Sequence, residues 1–157
     1  MKLGMRSFER QWDLLGDYAG RQKLYADRST WKRNSYFHRL QSAVSDIERL
    51  IAVGDAVIVF DYDQWGLERD LGGRTVFPFL ERGGEYWGMP ENDTSATEEF
   101  ERTRRASGAS HFVVGWPAFR WTEDYSRFAG HLHDNFECVL ATEQLVVFDL
   151  RRSAWQR

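Results

Sequence analysis

Lysine is almost missing from this chain. Lys2, Lys23 and Lys32 stand against eighteen arginines, and no lysine follows residue 32. Any phosphate site built around a late lysine is therefore excluded. Cysteine is scarcer still. Cys138 is alone, which excludes an internal disulfide and sets the expectation of a reducing, cytoplasmic environment. No apolar run approaches the roughly 20 residues that span a bilayer. The longest runs, such as Ala56–Phe60, have strand length. Residues 1–10 carry Arg6, Glu9 and Arg10 without an apolar core, so no secretory signal is expected. The G-x-G-x-x-G fingerprint and the P-loop are both absent, which disfavours dinucleotide, S-adenosylmethionine and nucleoside-triphosphate binding.

What remains suits one domain. The chain has 157 residues, 42% hydrophobic and 29% charged, enough apolar material for a core. Charge is unevenly placed. Residues 1–54 hold ten Lys/Arg against six Asp/Glu, and residues 55–157 hold eleven against eighteen. An acidic body argues against nucleic-acid binding, which needs clustered cations to displace phosphate counterions.

Periodicity divides the chain into a helical lead, residues 1–54, and an α/β body, residues 55–157, within one structural domain. In the lead, Phe8, Trp12, Leu15 and Ala19 share one helical face, and Phe37, Leu40, Val44, Ile47 and Ile51 share another. Ser35 is the expected cap of the second helix and Gly54 its terminator. In the body, Ala56–Phe60 and residues 111–116 read as buried parallel strands. Residues 74–80 form a strand that Pro78 pushes toward an edge or an early end. A helix capped at Asp93/Thr94 runs to Gly108, and another covers residues 122–136. Residues 137–141 and 144–150 form a closing hairpin around Thr142-Glu143. Strand–helix–strand order predicts parallel pairing with right-handed crossovers. The expected fold is a three-layer Rossmann-like α/β sandwich. Its sheet is mostly parallel, with a C-terminal antiparallel hairpin and N-terminal helices in front.

Four blocks in fixed order carry a resemblance. Val57-Ile58-Val59 leads into Asp61-Tyr62-Asp63, and Gly72-Gly73-Arg74 precedes Phe77-Pro78. Gly84-Glu85-Tyr86-Trp87-Gly88-Met89-Pro90 comes before Asp93 and a helix. Gly108-Ala109-Ser110-His111-Phe112-Val113-Val114 is followed by Pro117-Ala118-Phe119-Arg120-Trp121 and Tyr125, and Val147-Phe148-Asp149-Leu150-Arg151 closes the match. From about residue 42 to residue 152 the chain resembles a Rossmann-like domain found in bacterial glycosyltransferases, and beside methyltransferases, of surface-polysaccharide pathways. Two positions depart from it: tandem tryptophans are replaced by Arg120-Trp121, and Asp124 stands where histidine is common. The resemblance implies a setting in glycan assembly and transfers no catalytic residue.

The sharpest chemical signal is the strand ending in Asp61-Tyr62-Asp63. It resembles the first motif of haloacid-dehalogenase-type phosphatases, in which one aspartate attacks phosphorus and the second moves a proton beside Mg²⁺. Residues i and i+2 of an extended chain point the same way, so Asp61 and Asp63 are candidates to share a cation. The rest of that machine is missing: Gln64 and Trp65 replace the expected small residue and threonine, and the phosphate-holding lysine has no candidate. The same motif resembles the metal–nucleotide motif of glycosyltransferases. The competing view is a solvated turn.

Trp65, Trp116 and Trp121, like Trp87, fall in or beside loops that follow strands, where open α/β sheets bind ligands. With Asp61, Asp63, Arg120 and Tyr125 they form the candidate ligand site, one whose stacking faces and charges suit sugars. The competing view makes the tryptophans core or interface. His131 and His133, two apart on a helix, face different directions, so no metal site is expected.

The leading expectation is a non-catalytic accessory domain that works with glycosyltransferases of bacterial surface-polysaccharide assembly. It would dock on a protein partner, or on itself, through Phe8, Trp12 and Leu15, and need no cofactor. The alternative is a small ligand-binding enzyme of nucleotide-sugar, S-adenosylmethionine or phosphoryl-transfer type, with Asp61 and Asp63 catalytic and Mg²⁺ as cofactor. A transmembrane location is not expected.

Overall fold

The computed structural model describes residues 36–153. The first predicted helix, its docking residues Phe8, Trp12 and Leu15, and the cap Ser35 lie outside the described residues. The second predicted helix is α1 (Tyr36–Leu50). Leu40, Val44, Ile47 and the following Ile51 of its predicted stripe are at most 1% exposed and are joined by Ala43, while Phe37, the first member, is only half-buried. Arg74 ends this helix chemically. Its guanidinium donates to the carbonyls of Glu48 (2.9 Å), Ile51 (2.6 Å) and Gly72 (3.2 Å), a cation set against the negative end of the helix.

Eight strands follow: β1 (Ala56–Phe60), β2 (Asp70–Leu71), β3 (Arg74–Pro78), β4 (Glu81–Arg82), β5 (Glu85–Tyr86), β6 (His111–Gly115), β7 (Phe136–Ala141) and β8 (Leu145–Ser153). The helices between them are α2 (Asp93–Ser107), α3 (Trp121–Asp124) and α4 (Ser126–Asn135), with a 3₁₀ turn over Trp116–Ala118. Six strands form one sheet in the order β2-β3-β1-β6-β8-β7, while β4 and β5 pair separately. β1 runs parallel to β3 on one side and to β6 on the other. The pairs β2–β3, β6–β8 and β7–β8 are antiparallel.

The fold is therefore mixed α/β, and the expectation of a mostly parallel sheet is corrected. Only the central pairs are parallel. The closing hairpin forms as expected, but it inserts its second strand beside β6, turning that side of the sheet antiparallel. Its connection spans residues 142–144, one residue more than the predicted turn.

Apolar side chains fill both faces of the sheet. On one face Ile58, Phe60, Phe112, Val114 and Phe148 pack with Ala96, Phe100, Phe128 and Leu132 of α2 and α4. On the other, Val57, Val59, Val113 and Val147 meet α1. This explains why β1 and β6 read as continuous apolar runs: successive residues serve opposite faces, and both faces are covered. Two helix details differ from expectation. Asn92, not Asp93 or Thr94, caps α2, accepting the Ser95 N–H at 2.9 Å. Asp93 is thereby released to accept the Phe128 N–H at 2.9 Å, which ties α4 to the start of α2. The helix predicted over residues 122–136 is broken at Tyr125, and Phe136 already belongs to β7. No helix among the described residues is long and apolar enough to cross a membrane.

Candidate functional site

β1 ends at Phe60, and the next residue organises the turn beyond it. Asp61 Oδ1 accepts the Asp63 N–H at 2.9 Å and Oδ2 accepts the Trp65 N–H at 3.1 Å. The Gln64 N–H bonds to the Asp61 carbonyl at 3.0 Å. These bonds hold Tyr62 (φ 52°) and Asp63 (φ 57°) in the left-handed region, which L-residues enter at a cost of about 1–2 kcal/mol each. The extended geometry expected for Asp61-Tyr62-Asp63 is thus replaced by a tight turn. Both aspartates still border the same space, but the i, i+2 alternation of a strand does not align them.

That space is a cleft of about 460 Å³ at the C-terminal ends of β1 and β3. Its apolar floor is Val59, Leu67, Val76 and Pro78, and its polar wall is Asp61, Asp63, Glu68, Arg69, Glu85 and Tyr86. The volume falls within the range of small-molecule sites. Asp61 is 5% exposed, and burial pushes its carboxyl up to about 7, against the pull of its two backbone N–H donors. The neighbouring Asp63 charge adds to the rise. The Tyr86 phenol is also raised, by burial first and then by the charges of Asp61 and Asp63, so the three groups share one field.

Arg69 supplies the positive charge of the cleft. Its guanidinium lies 5.3 Å from the Phe77 ring centroid and packs against Gly84, where a Cβ would collide with it. Sequence reasoning missed Glu68, Arg69, Glu85 and Tyr86 as site residues, because they reach the cleft from two separate segments, the loop before β2 and the two-residue strand β5. A signal existed in Gly83-Gly84, adjacent glycines that allow a tight hairpin and the close approach of another group.

The other predicted site residues do not join Asp61 and Asp63 in the cleft. Trp65 and Trp116 do meet, with centroids 5.2 Å apart, as neighbouring strands require. Trp65, however, is fully buried, with its ring pressed on Gly115. Trp116 is covered by Arg39, 4.4 Å above its ring, and by Tyr36 edge-on at 5.2 Å. Trp121 and Tyr125 lie buried on the opposite face, where the Tyr125 hydroxyl donates to the Pro90 carbonyl at 2.6 Å. Arg120 is exposed and 3.6 Å from Glu123. The chain passes from β1 to β3 on one side and then to β6 on the other, so the crevice between β1 and β6 is the usual ligand position in such sheets. Here tryptophans fill it, and the open space lies one strand over.

A second polar cluster sits at the opposite end of β6. Ser110 Oγ is 2.6 Å from His111 Nδ1, and His111 Nε2 is 3.8 Å from Asp149 Oδ2. All three residues are buried. Burial pushes the His111 imidazole down, toward its neutral form, against the attraction of Asp149. Asp149 is closed off by Arg151, whose backbone N–H and guanidinium donate to it at 2.9–3.1 Å. The residue types are those of a hydrolytic triad, but a nucleophile sealed in the interior offers a substrate no approach. Among the described residues, no group of three or more His, Cys, Asp or Glu side chains is arranged to hold a metal ion.

No family model, no curated protein and no solved structure matches this chain.

Proposed function

We propose that this chain is a small-molecule-binding α/β domain whose site is the cleft beyond β1 and β3, with Asp61 as its proton-carrying group. The observation that carries the reading is the cleft itself. It is concave, part apolar and part charged, and lies at the carboxyl ends of two parallel strands. A carboxyl that titrates near neutrality is suited to general acid–base work, which supports a catalytic use of the site. Each Asp61 oxygen already accepts a backbone N–H, which favours proton exchange over cation binding. A Rossmann-like layering belongs to the same proposal, supported by the parallel core β3-β1-β6 and by helices on both faces. The resemblance to glycosyltransferase-associated domains supports polyhydroxylated ligands of surface-polysaccharide assembly in a bacterial cytoplasm.

Thermal unfolding against nucleotide sugars, phosphorylated sugars, S-adenosylmethionine, NAD and Mg²⁺ tests this reading. A ligand at 100 times its Kd adds about 2.7 kcal/mol of stability, several degrees for a chain of this size. The shift is expected to vanish in Asp63→Ala and to persist in Arg120→Ala, which lies outside the cleft. Silence across the panel would sink the cleft reading. One observation favours a second reading, an accessory domain that docks on a glycosyltransferase. Trp87 and Met89, on the loop between β5 and α2, are 72% and 56% exposed, an apolar pair with the character of a protein contact.

A further inference from the structure

We infer that the cleft selects a small zwitterion, a molecule with an ammonium group at one end and a phosphate or carboxylate at the other. The inference rests on the cleft reading above and deepens it. The guanidiniums of Arg82, Arg102, Arg104 and Arg151 each close on a carboxylate at 2.5–3.1 Å. Arg69 does not. Glu68 and Glu85 line the same cleft, yet neither pairs with Arg69 or with any other cation among the described residues.

Arg69 nonetheless has a seat. The Phe77 ring lies beneath its guanidinium, and the missing side chain of Gly84 makes room for it. A planar donor fork, seated on an aromatic ring and without an anion of its own, is the arrangement that receives a ligand phosphate or carboxylate. Glu68 and Glu85 supply opposite charge in the same cleft, and an ammonium group answers it. The apolar side chains of Val59, Val76 and Pro78 line the same cleft and suit the carbon skeleton of such a ligand. A divalent cation is the weaker fit, because the described residues contain no three-ligand cluster.

A matched set of four compounds separates the two charges: glucosamine 6-phosphate, glucose 6-phosphate, glucosamine and glucose. Calorimetric titration of the full chain is expected to rank the aminosugar phosphate first. Each singly charged compound should bind about tenfold more weakly and glucose about a hundredfold, since one charge-assisted contact is worth roughly a factor of ten. Arg69→Gln should lower the affinity for glucosamine 6-phosphate to that of glucosamine. The double variant Glu68→Gln/Glu85→Gln should lower it to that of glucose 6-phosphate. These side chains are at the surface, so the variants fold, and unchanged far-UV circular dichroism checks that they do. Equal affinity for glucosamine 6-phosphate and glucose 6-phosphate overturns the inference, as does the absence of binding by glucosamine 6-phosphate. In either case the cleft reading survives if a nucleotide sugar, S-adenosylmethionine or NAD shifts the unfolding temperature in an Asp63-dependent way. If those are silent too, both fall.

Discussion

Two aspartates at opposite ends of the sheet are both largely shielded from solvent and are chemically opposite. Asp61 follows the C-terminal end of β1 and is 5% exposed. Asp149, on β8 across from His111 at the start of β6, is 3% exposed. Burial works to raise both carboxyls. At Asp149 the Arg151 guanidinium and backbone N–H more than offset it and hold the carboxyl below the ordinary range. At Asp61 there are only backbone N–H donors, and burial wins. Two things differ: the Arg151 cation beside Asp149, and the deeper enclosure of the Asp61 carboxyl within the surrounding chain. Where Arg151 is supplied, the aspartate is a structural anion in a network with His111. Where no cation is supplied, the aspartate keeps its proton near neutrality and borders an open cleft. Burial alone therefore does not mark a working group. Burial with the counter-charge left out, beside open space, marks a candidate for one.

The largest effect that this comparison predicts is a difference in pH dependence. The folded-state value for Asp61, about 7, lies above its ordinary 3.8. Between those values the native state holds a proton that the unfolded state has lost. The contribution of Asp61 is therefore full at low pH, falls as pH rises, and levels off above about 7. Replacement by Asn removes the titration, and the fixed cost of an amide in place of the carboxyl cancels from the slope. Between pH 4 and pH 8 the stability of the native chain should fall relative to Asp61→Asn by on the order of 4 kcal/mol, measured by urea unfolding at each pH. Parallel profiles would mean that Asp61 is ionised like any surface aspartate, and the contrast with Asp149 would collapse. Asp149→Ala should act with the opposite sign, costing about 2 kcal/mol at pH 7 and less at pH 3. The cost is below that of breaking a fully buried pair because Arg151 can turn its half-exposed guanidinium to solvent. Unfolding of this variant at the two pH values checks it.

The legible parts of the molecule were those written in local pattern. α1 could be read because Leu40, Val44, Ile47 and Ile51 repeat at helical spacing. β1 and β6 could be read because both of their faces are covered, so every position is apolar. The meeting of Trp65 and Trp116 followed from strand adjacency. The full burial of Trp65 and the partial covering of Trp116 did not, since they depend on Gly115 making room for the Trp65 ring and on Arg39 and Tyr36 arriving from a distant helix. The antiparallel half of the sheet was hidden for a similar reason: nothing local in residues 145–153 says which strand β8 will join. β2, β4 and β5 have two residues each, too short for any periodicity, and are set by the glycine turns beside them. Asp61 and Asp63 were visible as a motif. Arg69 and Glu85 were not, because fifteen residues and three short strands lie between two groups that line one cleft.

The smallest predicted effect is also the most selective, and it compares two adjacent glycines. Gly83 (φ 62°) and Gly84 (φ 86°) form the two-residue turn between β4 and β5, in which both positions need positive φ. Either Gly→Ala change should therefore cost about 1 kcal/mol of stability. Only one of them touches the site. A Cβ at Gly83 meets nothing within 4 Å, whereas a Cβ at Gly84 runs into the Arg69 guanidinium, the flexible end of a long side chain that can swing away. Thermal unfolding should show similar losses for the two variants, while titration with glucosamine 6-phosphate should show weakened binding in Gly84→Ala alone. Equal affinities would mean that Gly84 serves only the turn and that Arg69 is not held there for a ligand. A loss confined to Gly84→Ala would connect a backbone requirement of the hairpin to the charge that distinguishes this end of the sheet from the end closed by Arg151.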